Sequence, residues 1–165
     1  MNKITISIIA FVALIAPISP VFAGTATGAL NIQTNLLSSC SVSTTPVNFG
    51  DQSVAVGGTA TGEVIVNCPS GLSYHIALDA GTNYTGGEQY RRLVTGGGSG
   101  ISYSLVKEDG QAWGDSDYAN TFNSGTSLAG ASNGSDQFHP VIGALQGGST
   151  VPGVYTGIVQ VTVHW

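Results

Sequence analysis

Apolar and polar residues alternate along this chain in short runs, and most runs end on Gly, Ser, Asn or Asp. A period of two places successive side chains on opposite faces of an extended strand. Over residues 26–37, Ala26, Gly28, Leu30, Ile32, Thr34 and Leu36 share one mostly apolar face, while Ala29, Asn31, Gln33 and Asn35 fall on the other. The pattern returns over 155–165, where Tyr155, Gly157, Val159, Val161, Val163 and Trp165 share a face. Between these ends it predicts strands over 40–42, 47–49, 62–68, 73–79, 89–94 and 101–107, and a short pair around Phe138 and 141–145. No stretch keeps apolar residues at helical spacing for three turns, and 24 glycines penalise helices at many points. The expected fold class is all-β, an immunoglobulin-like β-sandwich in preference to a barrel.

The two ends bear on how such a sandwich would be closed. The final alternating run stops at Trp165, so nothing in the sequence follows to cover the edge it would expose. An uncovered apolar groove beside an edge strand is a template for aggregation, and a strand from another chain is one way to cover it. Residues 24–37 have the alternation for that role. Head-to-tail donation of this kind need not close on itself and so generates a filament. Periodicity alone leaves an alternative open, in which 26–37 is the first strand of its own sandwich.

The first residues set the compartment. Lys3 precedes a run over 4–16 that is apolar apart from Thr5 and Ser7; it is short of the roughly 20 residues of a membrane span and has the length of a signal-peptide core. Pro17 and Pro20 follow, then Val21-Phe22-Ala23, which places cleavage after Ala23. The expected division is a signal peptide over 1–23, an alternating leader over 24–37 and one domain over 38–165. Cys40 and Cys68 both lie in the exported part, where an oxidising compartment favours a disulfide between them. The rival reading, a redox or metal pair, lacks a C-x-x-C motif and a nearby His. Loss of Lys3 leaves Arg91, Arg92 and Lys107 against nine acidic residues, which disfavours nucleic acid and anionic lipid as partners.

Candidate chemistry is sparse, and no catalytic, cofactor or metal site is expected. A hydrolytic site needs a nucleophile, a base and an orienting group within reach; His75, His139 and His164 are the available bases, and none sits in a known motif. Their wide spacing gives no metal signature either. Between 109 and 135 lies a polar stretch with Trp113, Tyr118 and Phe122, read as a long loop with a minor strand. Asp115 and Asp117 in it lack the glycine and terminal glutamate of a calcium hand, so a solvated acidic loop is expected, with an aromatic adhesive patch as the functional rival. Arg91-Arg92 reads as a solvated pair at a strand start, Gly96-Gly97-Gly98 as a hairpin turn, and Asn133-Gly134-Ser135 as a plain turn although it spells a glycosylation sequon.

Several of these segments, taken in order, resemble the spore coat protein U domain family, which includes subunits of archaic chaperone-usher pili. The matching pieces are the signal peptide, the alternating leader, Ser39-Cys40-Ser41-Val42, Val47-Asn48-Phe49-Gly50, Val64-Ile65-Val66-Asn67-Cys68, Tyr103-Ser104-Leu105 and the run from Gly153 through Tyr155 to the terminal His164-Trp165. The resemblance implies a pilin whose immunoglobulin-like β-sandwich is incomplete, lacking its last, seventh strand, and that is held by a periplasmic chaperone, passed to an outer-membrane usher and completed by donor-strand exchange with the N-terminal segment of a neighbouring subunit. Carried over by position, Ala26, Gly28, Leu30, Ile32, Thr34 and Leu36 would be donor side chains, and Val159, Val161, Val163 and Trp165 would lie on the strand beside the acceptor groove. Gly28 and Thr34 depart from the pattern as poor fillers of apolar pockets. The implied function is a structural subunit of a surface fibre that supports adhesion and biofilm formation. The alternative is a secreted or spore-coat-type binding protein that assembles no pilus.

Overall fold

The computed structural model describes residues 31, 33, 34, 39–53 and 56–165. The expected signal peptide lies outside the described residues, as do Ala26, Gly28, Leu30, Ile32 and Leu36 of the leader. Thr34 is described and exposed.

Among the described residues eight strands form the architecture: β1 (Ser41–Thr45), β2 (Val56–Asn67), β3 (Ser73–Leu78), β4 (Arg91–Val94), β5 (Gly100–Val106), β6 (Leu128–Ala131), β7 (Gln137–Gly148) and β8 (Val161–His164). They form two antiparallel sheets, one ordered β1-β2-β7-β5-β4 and the other β6-β3-β8. No helix occurs among the described residues. Alternation sends Val64 and Val66 of β2, Tyr103 and Leu105 of β5, and Val141 and Leu145 of β7 to the inner face of the first sheet, where they meet Tyr74, Ile76 and Leu78 of β3. The fold is an all-β sandwich of the immunoglobulin-like kind.

Several boundaries differ from the sequence reading. β2 begins at Val56 instead of 62, and the expected short pair around Phe138 and 141–145 is one twelve-residue strand, β7. Long ladder partners explain both, because β2 and β7 pair with each other from Val56–Gln146 to Val66–Gln137 through a register shift. The 47–49 segment is no strand at all. The run over 155–165 is a strand only from Val161 to His164. Upstream of it the chain makes a single bridge to β4, Thr156 opposite Val94, and then bonds to a turn: Thr82 N–H donates to Ile158 O at 2.9 Å and Gln160 N–H to Asp79 Oδ1 at 2.8 Å. The hairpin reading of 96–98 stands, with Thr95 N–H donating to Ser99 O at 2.9 Å between β4 and β5.

Two charge readings are corrected. Arg91 is no solvated residue but is 1% exposed, since its position opposite Tyr103 points it into the sandwich. Its Nε donates to Asp79 O at 2.8 Å, its Nη2 to Leu78 O at 3.1 Å, and its guanidinium lies 3.9 Å from the centre of the Phe122 ring. Burial pulls its pKa down to about 10, so it remains charged at neutral pH. The 109–135 stretch is a solvated acidic loop only in part: Asp109, Asp117 and Tyr118 are exposed, but the other two aromatics belong to the core. Trp113 is 0% and Phe122 3% exposed. Asp115, also buried, accepts from Phe122 N–H at 2.6 Å and from Thr121 N–H and Oγ1 at 3.1 and 2.7 Å, which closes the loop onto the core.

At one end of the sandwich a polar pair bridges the sheets. Tyr74 Oη on β3 lies 2.8 Å from His139 Nε2 on β7, and also donates toward Gln137 Oε1 at 3.2 Å. Burial lowers the His139 pKa below its ordinary value, opposed by the charge of Glu108. A histidine with a depressed folded-state pKa contributes its full share of stability above the unfolded value of about 6.5 and loses it as pH falls toward the folded value. Thermal melts should therefore show stability falling between pH 7 and pH 5 more steeply in the native chain than in His139→Gln. Parallel pH profiles for the two would exclude this role.

Candidate functional site

Each sheet ends in a strand with one neighbour. Among the described residues β1 pairs only with β2, and β8 pairs only with β3. These two edges flank an open groove, walled on one side by Thr44, Thr45, Pro46, Val47 and Phe49 and on the other by Gly157, Ile158, Val159 and Val161. Its floor is the core itself: Val64, Leu78, Tyr103, Leu105 and Val141. The groove has a volume of about 350 Å³ and runs into a wider opening of about 930 Å³, with Val47, Phe49, Leu93 and Gly157 common to both.

The groove leaves core residues half covered. Leu93, Ile101, Val159 and Val161 pack against the buried cluster yet are only partly buried. Of the eight large apolar side chains exposed among the described residues, Val56, Val151 and Val154 line the wider opening and Ile158 lines the groove. Exposed apolar surface thus continues from the groove into the wider opening, and apolar surface beside an unpaired strand edge is the arrangement that recruits a further strand.

The wall formed by residues 46–49 is seated by two glycines on the inner face of the first sheet. A Cβ at Gly62 would lie 2.6 Å from Thr45 O and 3.0 Å from Val47 Cγ2, and one at Gly143 would lie 2.6 Å from Val47 Cγ1 and 2.8 Å from Phe49 Cζ. Phe49 then reaches Tyr103, edge to face, with ring centres 6.4 Å apart. These residues escaped the sequence reading as a groove wall, because the alternation of Val47 and Phe49 was read as a strand. The available signal was the pair of glycines at inward positions of neighbouring strands, which marks a close backbone approach.

The remaining candidates are distributed as follows. A disulfide joins Cys40, immediately before β1, to Cys68, immediately after β2. Val159 and Val161 line the groove, and Val163 packs against the core. Trp165 lies one residue past β8, is 58% exposed and does not line the groove. His75 and His164 form a cross-strand pair on the outer face, with the Tyr118 ring stacked on His164 at 4.1 Å and tilted against His75 at 5.5 Å. His139 is on the inner face, so the structure does not bring the three histidines together. Among the described residues no three His, Cys, Asp or Glu side chains are placed to hold a metal ion.

Substitution at Gly143 tests the seating of the wall. Gly143→Ala forces Val47 and Phe49 outward and should cost about 1–3 kcal/mol, as overpacking does. Gly97→Ala, at a turn where a Cβ meets nothing closer than Thr95 Oγ1 at 3.8 Å, should stay within about 0.5 kcal/mol of the native chain. Equal melting temperatures for the two variants would contradict this packing.

The family model described as the Spore Coat Protein U domain matches residues 26–162. No curated protein matches the chain. Among solved structures, one chain of the CsuC–CsuE chaperone–tip adhesion subunit pre-assembly complex, from archaic chaperone-usher Csu pili of Acinetobacter baumannii, superimposes with a TM-score of 0.57 at 18% identity. The match covers 78% of this chain and 40% of that one, so this chain spans well under half of the protein it resembles, and at that identity the likeness is one of fold.

Proposed function

The chain belongs to the Spore Coat Protein U domain family, and on that premise we propose that it is a structural subunit of an archaic chaperone-usher pilus. The single observation that carries this reading is the open groove between the unpaired edges of β1 and β8, together with an alternating segment ahead of Cys40 suited to fill it. In this reading the signal peptide is cut after Ala23, residues 24–37 form the donor strand and residues 38–165 form the acceptor domain. A periplasmic chaperone holds the groove before assembly. An outer-membrane usher then exchanges it for the donor segment of the next subunit, and the resulting surface fibre supports adhesion and biofilm formation.

The chemistry of donor and groove is complementary. The groove offers apolar floor residues and two strand edges whose outward backbone groups need partners. Ala26, Gly28, Leu30, Ile32, Thr34 and Leu36 would face the floor, and the peptide groups between them would pair with the edges. Leu30, Ile32 and Leu36 would together contribute on the order of 5 to 9 kcal/mol of burial, before the entropy of ordering the segment is subtracted. The non-closing, head-to-tail contact propagates a fibre.

A double substitution, Leu30→Asp with Ile32→Asp, tests the reading in cells that supply chaperone and usher. Removing two anchors should weaken each joint by on the order of 3 to 6 kcal/mol, or about 10²- to 10⁴-fold. Electron microscopy should show detergent-resistant filaments from the native chain and none from the variant, while the variant still accumulates as an oxidised, folded periplasmic subunit. Native-like filaments from the variant would overturn the donor assignment. Failure of the variant to fold even with chaperone would instead make 26–37 the first strand of its own domain.

A further inference from the structure

The position of the disulfide has a consequence for how load passes through such a fibre. Cys40 is the last residue before β1, on the side from which the N-terminal segment enters, and Cys68 directly follows β2. The first pair of the β1–β2 ladder, Ser41 opposite Asn67, is adjacent to the bridge. The disulfide is therefore a covalent rung at the end of the ladder where the N-terminal segment joins the domain.

β1 is poorly suited to bear tension by itself. All five of its residues are exposed, and among the described residues its one ladder is with β2. A pull arriving at its Ser41 end would bear first on a single pair and then on each pair in turn. β2 differs on every count: it has twelve residues, is paired on both sides, and roots Val64 and Val66 in the core. Peeling β1 would also draw away Pro46, Val47 and Phe49, which wall the acceptor groove.

We propose that the Cys40–Cys68 disulfide is a load-bearing staple, which passes tension from the donor segment directly into β2 and so keeps strain at one joint from dismantling the groove that holds the next. This rests on the donor-strand reading above, because only then does the segment ahead of Cys40 carry tension. Without the bridge, tension would peel β1 before the joint fails. The released length would be roughly 20 Å per subunit if residues 40–45 peel, and up to about 55 Å if peeling continues to the start of β2.

Force–extension measurements on single purified filaments decide the matter, comparing the native filament, the same filament after treatment with a thiol reductant, and filaments of the Cys40→Ser, Cys68→Ser double variant. Reduction after assembly covers the case in which the double variant fails to fold, and alkylation of the freed thiols followed by mass spectrometry verifies that the bridge has opened. Oxidised filaments should reach rupture without the 20–55 Å per-subunit lengthening. Reduced filaments should show it and break at lower force. Identical curves before and after verified reduction would overturn the staple while leaving the donor-strand reading intact, as would the same lengthening in oxidised filaments. Absence of filaments from the native chain would overturn both.

Discussion

Two strand edges stand apart across an uncovered strip of core, and the rest of the molecule is arranged around that gap. In a closed sandwich the inner faces of both sheets are sealed by each other and by their flanking strands. Here β1 and β8 have no neighbour on the groove side among the described residues, and the floor between them is Val64, Leu78, Leu105 and Val141. Burying that floor is favourable by the usual hydrophobic term, and pairing the edges removes unsatisfied backbone groups. One strand does both at once. A compact ligand would reach the floor but leave the edges unpaired, which is why the geometry favours an extended peptide.

The rest of the fold keeps the gap open and its walls in place. Gly62 and Gly143 let the 45–49 segment lie close on the first sheet, so Val47 and Phe49 form a wall and do not fill the groove. Arg91 ties β4 to the end of β3, and Asp115 draws the following loop down so that Phe122 covers the guanidinium. Lys107 is buried as well, with Nζ donating to Thr126 Oγ1 and Ser127 O, both at 2.9 Å, near the Trp113 ring. With these two cations inside, Arg92 is the remaining Lys or Arg side chain on the surface of the described residues, against a larger number of exposed carboxylates. Such a surface repels others like it, so contacts between subunits have to come from apolar burial and backbone pairing.

The sequence was informative where one signal had one meaning. Alternation located the strands over 73–79 and 101–107 to within a residue, because both lie mid-sheet and set one face, Tyr74, Ile76 and Leu78 or Tyr103 and Leu105, in the core. The two cysteines had only each other as partners. It was ambiguous where the same pattern serves two structures. Val47 and Phe49 alternate like a strand although their backbone joins no ladder, and residues 155–160 alternate although they make one bridge to Val94 and otherwise bond to the turn at 79–82. Periodicity reports which side a residue faces, never what pairs with its backbone. Arg91 and Trp113 were misread for a related reason: a charge beside another charge, or an aromatic in a polar stretch, has no local signature of burial, and only the register opposite Tyr103 and the clamp from Asp115 show it.

Backbone amide hydrogen exchange at β8 tests the missing-strand account most directly, comparing isolated subunit with assembled filament. The N–H groups of Val161–His164 that do not pair with β3 should exchange freely in the isolated chain and become strongly protected in the filament, because a neighbour's segment then pairs with them. Protection already present in the isolated chain, or free exchange persisting in the filament, would contradict the account.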